Sequence, residues 1–249
     1  MRSSNPTLGE KTFVGLGPAT EVMTLPGVVQ KTLILLLICA AAAAWMWTRV
    51  SGLAQTGGSS APITPWIYGG LIGGLLMAVV TIFKKSWAPF TTPLYALLEG
   101  ILLGALSALL ELVYPGIVVQ AVGLTFAIML ALLGAYTILR IRPSENFKLG
   151  VSAATGGIFL LYLTSFVLSF FGVRIPYIHE SGLIGIGFSL VVVVIASLNL
   201  VLDFDFIEQG VNQGAPKFME WYGAFGLLVT LVWLYLEILN LLSKLRSRN

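Results

Sequence analysis

The feature that most limits what this chain can fold into is a series of seven apolar runs, each near the roughly 20 residues that carry an α-helix across about 30 Å of hydrocarbon. They fall at about 28–47, 66–83, 92–112, 117–139, 149–171, 182–202 and 222–242. None alternates polar and apolar residues with the period of a barrel strand, so all seven predict helices. The expected fold is an all-α integral membrane protein, a bundle of seven transmembrane helices. A polar segment, 1–27, precedes the helical domain at 28–243, and a basic tail, 244–249, follows it.

Charge agrees with that class. Charged residues make up 10% of the chain, against about 25% in a soluble domain. The net charge of +3 comes from lysines and arginines at the ends of runs, where they orient helices, so no nucleic acid is expected as a partner. Cys39 is the single cysteine and His179 the single histidine, which excludes an intramolecular disulfide and a thiolate or imidazole metal cluster. The first run lacks a charged start and a small-residue cleavage site, so it reads as a retained span. No HExxH, no GxGD and no Ser paired with His or Lys lies within the runs. The chain is not expected to be an enzyme, and no organic cofactor is expected.

Two sets of small residues predict close helix contacts. Gly69, Gly70, Gly73 and Gly74 form overlapping small-xxx-small pairs in the second run, and Gly100 and Gly104 form another in the third. Orientation follows from Lys and Arg. With the N-terminus inside, 9 fall on the inner side and 5 on the outer, three of those five in the tail. The body is therefore expected N-inside. The basic tail then lies outside after seven full spans, or the last run is re-entrant and returns it.

Acids within or against these runs need a reason, because an ionised Asp at a helix centre costs about 3 kcal/mol on insertion scales. Asp203, Asp205 and Glu208 follow SLVVVVIASLNLVL with no turn residue between. Glu237 sits inside LLVTLVWLYLEILNLL, and Glu99 lies in the third run, just beyond Lys84 and Lys85 at the end of the second. If the sixth run stops at Leu202, Asp203 lies at the inner face. Glu237 is then 15 residues beyond Tyr222, about 22 Å away at 1.5 Å per residue. The two acids meet only if the sixth helix ends deeper, the seventh starts earlier, or the seventh is re-entrant. Brought together, they would titrate as a coupled pair, and their oxygen ligands would suit Ca2+.

LDFDFIEQG (202–210) followed by LYLEILNLL (234–242) resembles the last two spans of the Bax inhibitor-1 family, the transmembrane BAX inhibitor motif proteins. PLYALLEGILLGALS (93–107) is similar to that family's third span, and MRSSNPTL with MTLPGVVQKT resembles a bacterial branch of it. The resemblance implies a seven-helix bundle acting as a pH-sensitive Ca2+ leak channel of the bacterial inner membrane, N-terminus in the cytoplasm. Acids on the sixth and seventh helices would sense pH, latched by an arginine near the end of the second.

On this chain, an acid four residues before Ile207 selects Asp203, and LYL followed by an acid selects Glu237; both are the implied Ca2+ ligands. The arginine falls at Lys84 or Lys85, and Glu99 and Asp205 become candidate ligands at the mouth. A Glu stands here for an Asp and a Lys for an Arg, so the two-pronged guanidinium contact is missing. Lipid, Ca2+ and H+ are the expected partners. Two other classes stay open: a membrane-embedded modulator that binds a partner membrane protein such as a protease, and a proton-coupled transporter of a small solute.

Overall fold

A computed structural model describes residues 21–55, 63–139, 142–172 and 182–248. Residues 1–20 of the polar N-terminal segment, 56–62 in the first loop, and His179 lie outside the described residues. Seven α-helices follow in order: α1 Leu25–Gln55, α2 Thr64–Phe83, α3 Ala88–Val113, α4 Ile117–Thr137, α5 Glu145–Phe170, α6 Leu183–Asn212 and α7 Met219–Ser247. All seven are long and apolar enough to cross a membrane, and no strand occurs among the described residues.

The helices divide between two compact units. The first comprises the described residues up to Pro115 with Ile207–Leu228; the second comprises Gly116–Phe206 with the chain from Val229 onward. In the first unit α3 packs against α1 and α2. Glycine makes those approaches possible. A Cβ on Gly100 would run into the Cys39 carbonyl and lie 2.8 Å from the Ala42 methyl, and one on Gly104 would strike the Ala43 backbone. On α2, a Cβ on Gly70 would sit 2.9 Å from the Leu98 carbonyl oxygen, whereas Gly69 faces open space. Of the predicted small-residue pairs, the one on α3 therefore forms the α1 crossing, and the α2 set meets α3 through Gly70, Gly73 and Gly74.

The first unit also ties its chain ends together. Val22 and Pro216 form an isolated antiparallel bridge, and the Met23 N–H donates to the Ala215 carbonyl at 2.6 Å. Glu220, fully buried in the first turn of α7, accepts from the Thr24 N–H at 3.0 Å and the Thr24 hydroxyl at 2.8 Å. Lys217 at 3.1 Å and Lys31 at 3.5 Å complete its charge pairing. Gly27 leaves room for it, because a Cβ there would overlap the Glu220 carboxylate.

The helix ends correct two sequence expectations. α6 does not stop at Leu202: polar residues continue the helix through Asn212, because the first strong breakers, Gly214 at φ 64° and Pro216, come later. Asp203 is thus an interior residue, nine from the end of α6 and about 14 Å from it by helical rise. α7 starts at Met219 and runs unbroken for 29 residues, or roughly 43 Å. That length spans the hydrocarbon and argues against a re-entrant last segment. It also takes in residues 244–247 of the expected tail, and Lys244 there is buried.

Candidate functional site

The second unit carries its polar groups on facing sides of α6 and α7. On α7, Thr230, Trp233, Glu237, Asn240 and Lys244 recur at intervals of three and four, which places them on one helix face. Thr230, Glu237 and Lys244 are 2%, 6% and 5% exposed. On α6, Ser189, Asn199 and Asp203 are all buried. Apolar helices insert this much polar surface only where partners receive it.

The Thr230 hydroxyl donates to Asp203, whose side chain is wholly buried. Two turns along α7, Glu237 accepts from the Tyr162 hydroxyl of α5, 2.9 and 3.1 Å from its two oxygens, and from the Trp233 indole N–H at 3.2 Å. Further on, the Lys244 ammonium donates to the Ser189 hydroxyl at 2.8 Å and the Gly185 carbonyl at 3.3 Å. Between these levels, the Asn199 amide of α6 donates to Thr155 of α5 at 2.8 Å. From Thr230 to Lys244 this polar track spans 14 residue steps of α7, or about 21 Å of the roughly 30 Å hydrocarbon thickness.

Asp203 and Glu237 both belong to the track, but on different levels. Asp203 is anchored at Thr230, seven residues before Glu237, so about 10 Å of rise separates the α7 positions that hold the two carboxylates. They form successive stations, not the coupled pair that a meeting of the two acids would have made. A Ca2+ ion takes six to eight oxygens at about 2.4 Å. Among the described residues no group of three or more acidic, His or Cys side chains could hold a metal ion. The residues do not fit a resident Ca2+ chelate at Asp203 and Glu237.

A second cluster joins α4, α5 and α6. Lys148 lies 2.7 Å from Asp205 and 2.8 Å from Glu145, the Tyr136 hydroxyl reaches Asp205 at 3.5 Å, and the Arg142 guanidinium stacks 4.5 Å from the Tyr136 ring centre. Lys148 is buried in the first turn of α5, a helix that Ser144 caps by accepting from the Phe147 N–H.

The remaining candidates belong to the first unit. Lys84 lies over the Trp87 ring at 5.5 Å and Lys85 over the Tyr222 ring at 5.9 Å. Glu99 is eleven residues into the 26-residue α3, near its middle, which is deeper than a mouth position. Its carboxylate lies beside Gly74, where a Cβ would come within 3.2 Å of it.

Sequence reasoning missed Lys148, Tyr162, Thr230, Trp233 and Lys244. The α7 stripe was legible as a three-four spacing, and Pro-Ser-Glu before Lys148 is a helix-start signal. Tyr162 had none, being 75 residues from Glu237.

A bundle of seven apolar helices with a buried polar track defines a multi-pass α-helical membrane protein. The chain belongs to the Bax inhibitor 1 like family, whose model matches residues 3–247, nearly the whole length. No curated protein and no solved structure matches it.

Proposed function

We propose that the protein is a pH-sensitive Ca2+ leak channel of the bacterial inner membrane, with its N-terminus in the cytoplasm. The observation that carries this reading is the buried polar track of about 21 Å along α7, with acids at two levels. A threonine hydroxyl donates to Asp203, and a phenol, an indole and an amide donate to Glu237. Neutral donors orient a carboxylate without cancelling its charge, so such a line of sites attracts cations into an apolar bundle. Protonation of either acid removes one charge from the path and so couples pH to flux.

The cation with the geometry of a latch is Lys148, which pairs Asp205 two residues beyond Asp203. A latch role for Lys84 or Lys85 rests on the family resemblance, and a ligand role for Glu99 on its being an acid within a span.

The test is Ca2+ entry into proteoliposomes at pH 6, 7 and 8. Flux in the wild type should vary with pH, and Asp203→Asn and Glu237→Gln should each flatten that dependence. Flux equal to that of empty liposomes at every pH sinks the channel reading.

A further inference from the structure

The track ends in a cavity of about 470 Å3 at one end of the second unit, formed by the C-terminal parts of α5 and α7 and the start of α6. Its two ends differ in chemistry. At one, the Glu237 carboxylate accepts from Tyr162, whose ring packs edge-on against Phe188 with centres 6.3 Å apart, and Phe166 lines the same cavity. At the other, Lys244 and the Ser169 hydroxyl line the wall. Aromatic faces beside a carboxylate select an organic ammonium, through cation–π attraction plus direct ion pairing. An ammonium beside a hydroxyl selects a carboxylate or a similar oxyanion.

Glu237 has capacity for such a guest. A carboxylate offers about four acceptor positions, and three donors reach it, the Tyr162 hydroxyl, the Trp233 indole and the Asn240 amide. Lys244 lines the same cavity, so a guest that carries both signs matches its walls better than one that is cationic alone. We propose that this cavity binds a small organic zwitterion, ammonium against Glu237 and the aromatic rings, anionic group against Lys244 and Ser169.

The spacing sets the guest's length. Glu237 and Lys244 are seven residues apart on one helix, about 10 Å of rise, so the two charges of the guest are separated by several bonds. A simple α-amino acid is too short to satisfy both ends. Depth sets its source. Lys244 is three residues from the end of α7 and Ser169 one from the end of α5, so the anion-binding end lies at the level of the helix ends, with Glu237 about two turns deeper. A membrane lipid with an amine headgroup presents the opposite order, phosphate deeper and ammonium towards water. The geometry points to a water-soluble zwitterion entering from the helix ends.

The proposal is independent of Ca2+ conduction, because binding is measured directly. The full chain, in nanodiscs without phosphatidylethanolamine, would be titrated calorimetrically with 5-aminopentanoate, its N-acetyl derivative, 5-aminopentanamide and glycine. The zwitterion of five-carbon length should bind, each capped analogue and glycine at least tenfold more weakly. Glu237→Gln and Lys244→Met should each reproduce the tenfold loss. If a variant fails to fold, the ligand series on the wild type still decides. No heat with 5-aminopentanoate, or equal binding of the capped compounds, overturns the assignment. Competition by phosphatidylethanolamine added to the nanodiscs, with no selectivity among the soluble probes, overturns it in favour of a lipid headgroup. Binding without Ca2+ flux would remove the leak reading alone, and flux without binding would remove this one alone.

Discussion

Each unit of the molecule buries a carboxylate on α7, and the two are held in opposite ways. Glu220, in the first unit, is surrounded by Lys31, Lys217 and two donors from Thr24. Glu237, in the second, takes its hydrogen bonds from Tyr162, Trp233 and Asn240, none of them charged, and Lys244 acts on it only through space. A carboxylate neutralised by cations is a fastener: its charge is spent on joining the start of α1 to the start of α7. A carboxylate oriented by neutral donors keeps a charge that another ion can use. The packing follows the same division. The first unit brings α1, α2 and α3 together through glycines set against backbone, and the second joins its helices through hydroxyls, amides and charges. One half is built to hold; the other is built around polar groups that can exchange partners.

The largest expected effect breaks the first unit. Gly104→Leu forces a side chain into the Ala43 backbone, and overpacking against backbone falls at the upper end of the usual range, about 3 kcal/mol. The variant should lose its cooperative thermal transition in detergent, while Gly69→Leu, which faces open space, keeps it. Equal melting of the two would mean that α1 and α3 do not cross at Gly104.

Next comes the ion pair of the second unit. Lys148→Met leaves Asp205 buried without the ammonium 2.7 Å away, and breaking a buried pair this way costs about 3 kcal/mol. The double variant Lys148→Met with Asp205→Asn should recover most of that loss, since the pair is coupled. Additive losses in a denaturation series would show that the pair carries no coupling.

A smaller effect separates holding from using. Tyr162→Phe deletes one donor to Glu237 and should cost about 1–2 kcal/mol. It should also change the pH dependence of Ca2+ flux, because Glu237 loses its hydrogen bond from α5. By contrast, Thr24→Val removes the hydroxyl contact to Glu220, costs about the same, and should leave the pH profile unchanged. A shifted profile in Thr24→Val would end the distinction between the two acids.

Much of this was legible in the chain. Seven runs near the length of a span dictate seven helices, because backbone polar groups in hydrocarbon must pair within their own segment. The small-residue pairs located the crossing on α3, and the isolation of Glu237 within an apolar run marked it as a residue needing a partner. Helix ends were misjudged where polarity was taken for termination: Asp203–Asn212 carries three acids yet no proline, so α6 continues and holds Asp203 inside it. Polarity marks where a helix meets water or a partner; only backbone geometry ends it.

Tertiary structure alone decided which groups face the acids. Tyr162 and Lys148 come from α5, at sequence distances of 75 and 57 from Glu237 and Asp205, and no periodicity links positions on different helices. Local spacing sets which residues share a face, since 3.6 residues per turn is a property of one segment. Which face meets which depends on how whole helices pack. That packing placed Asp203 and Glu237 at successive levels of one track, set Lys148 against Asp205, and left Glu237 and Lys244 on the walls of one cavity.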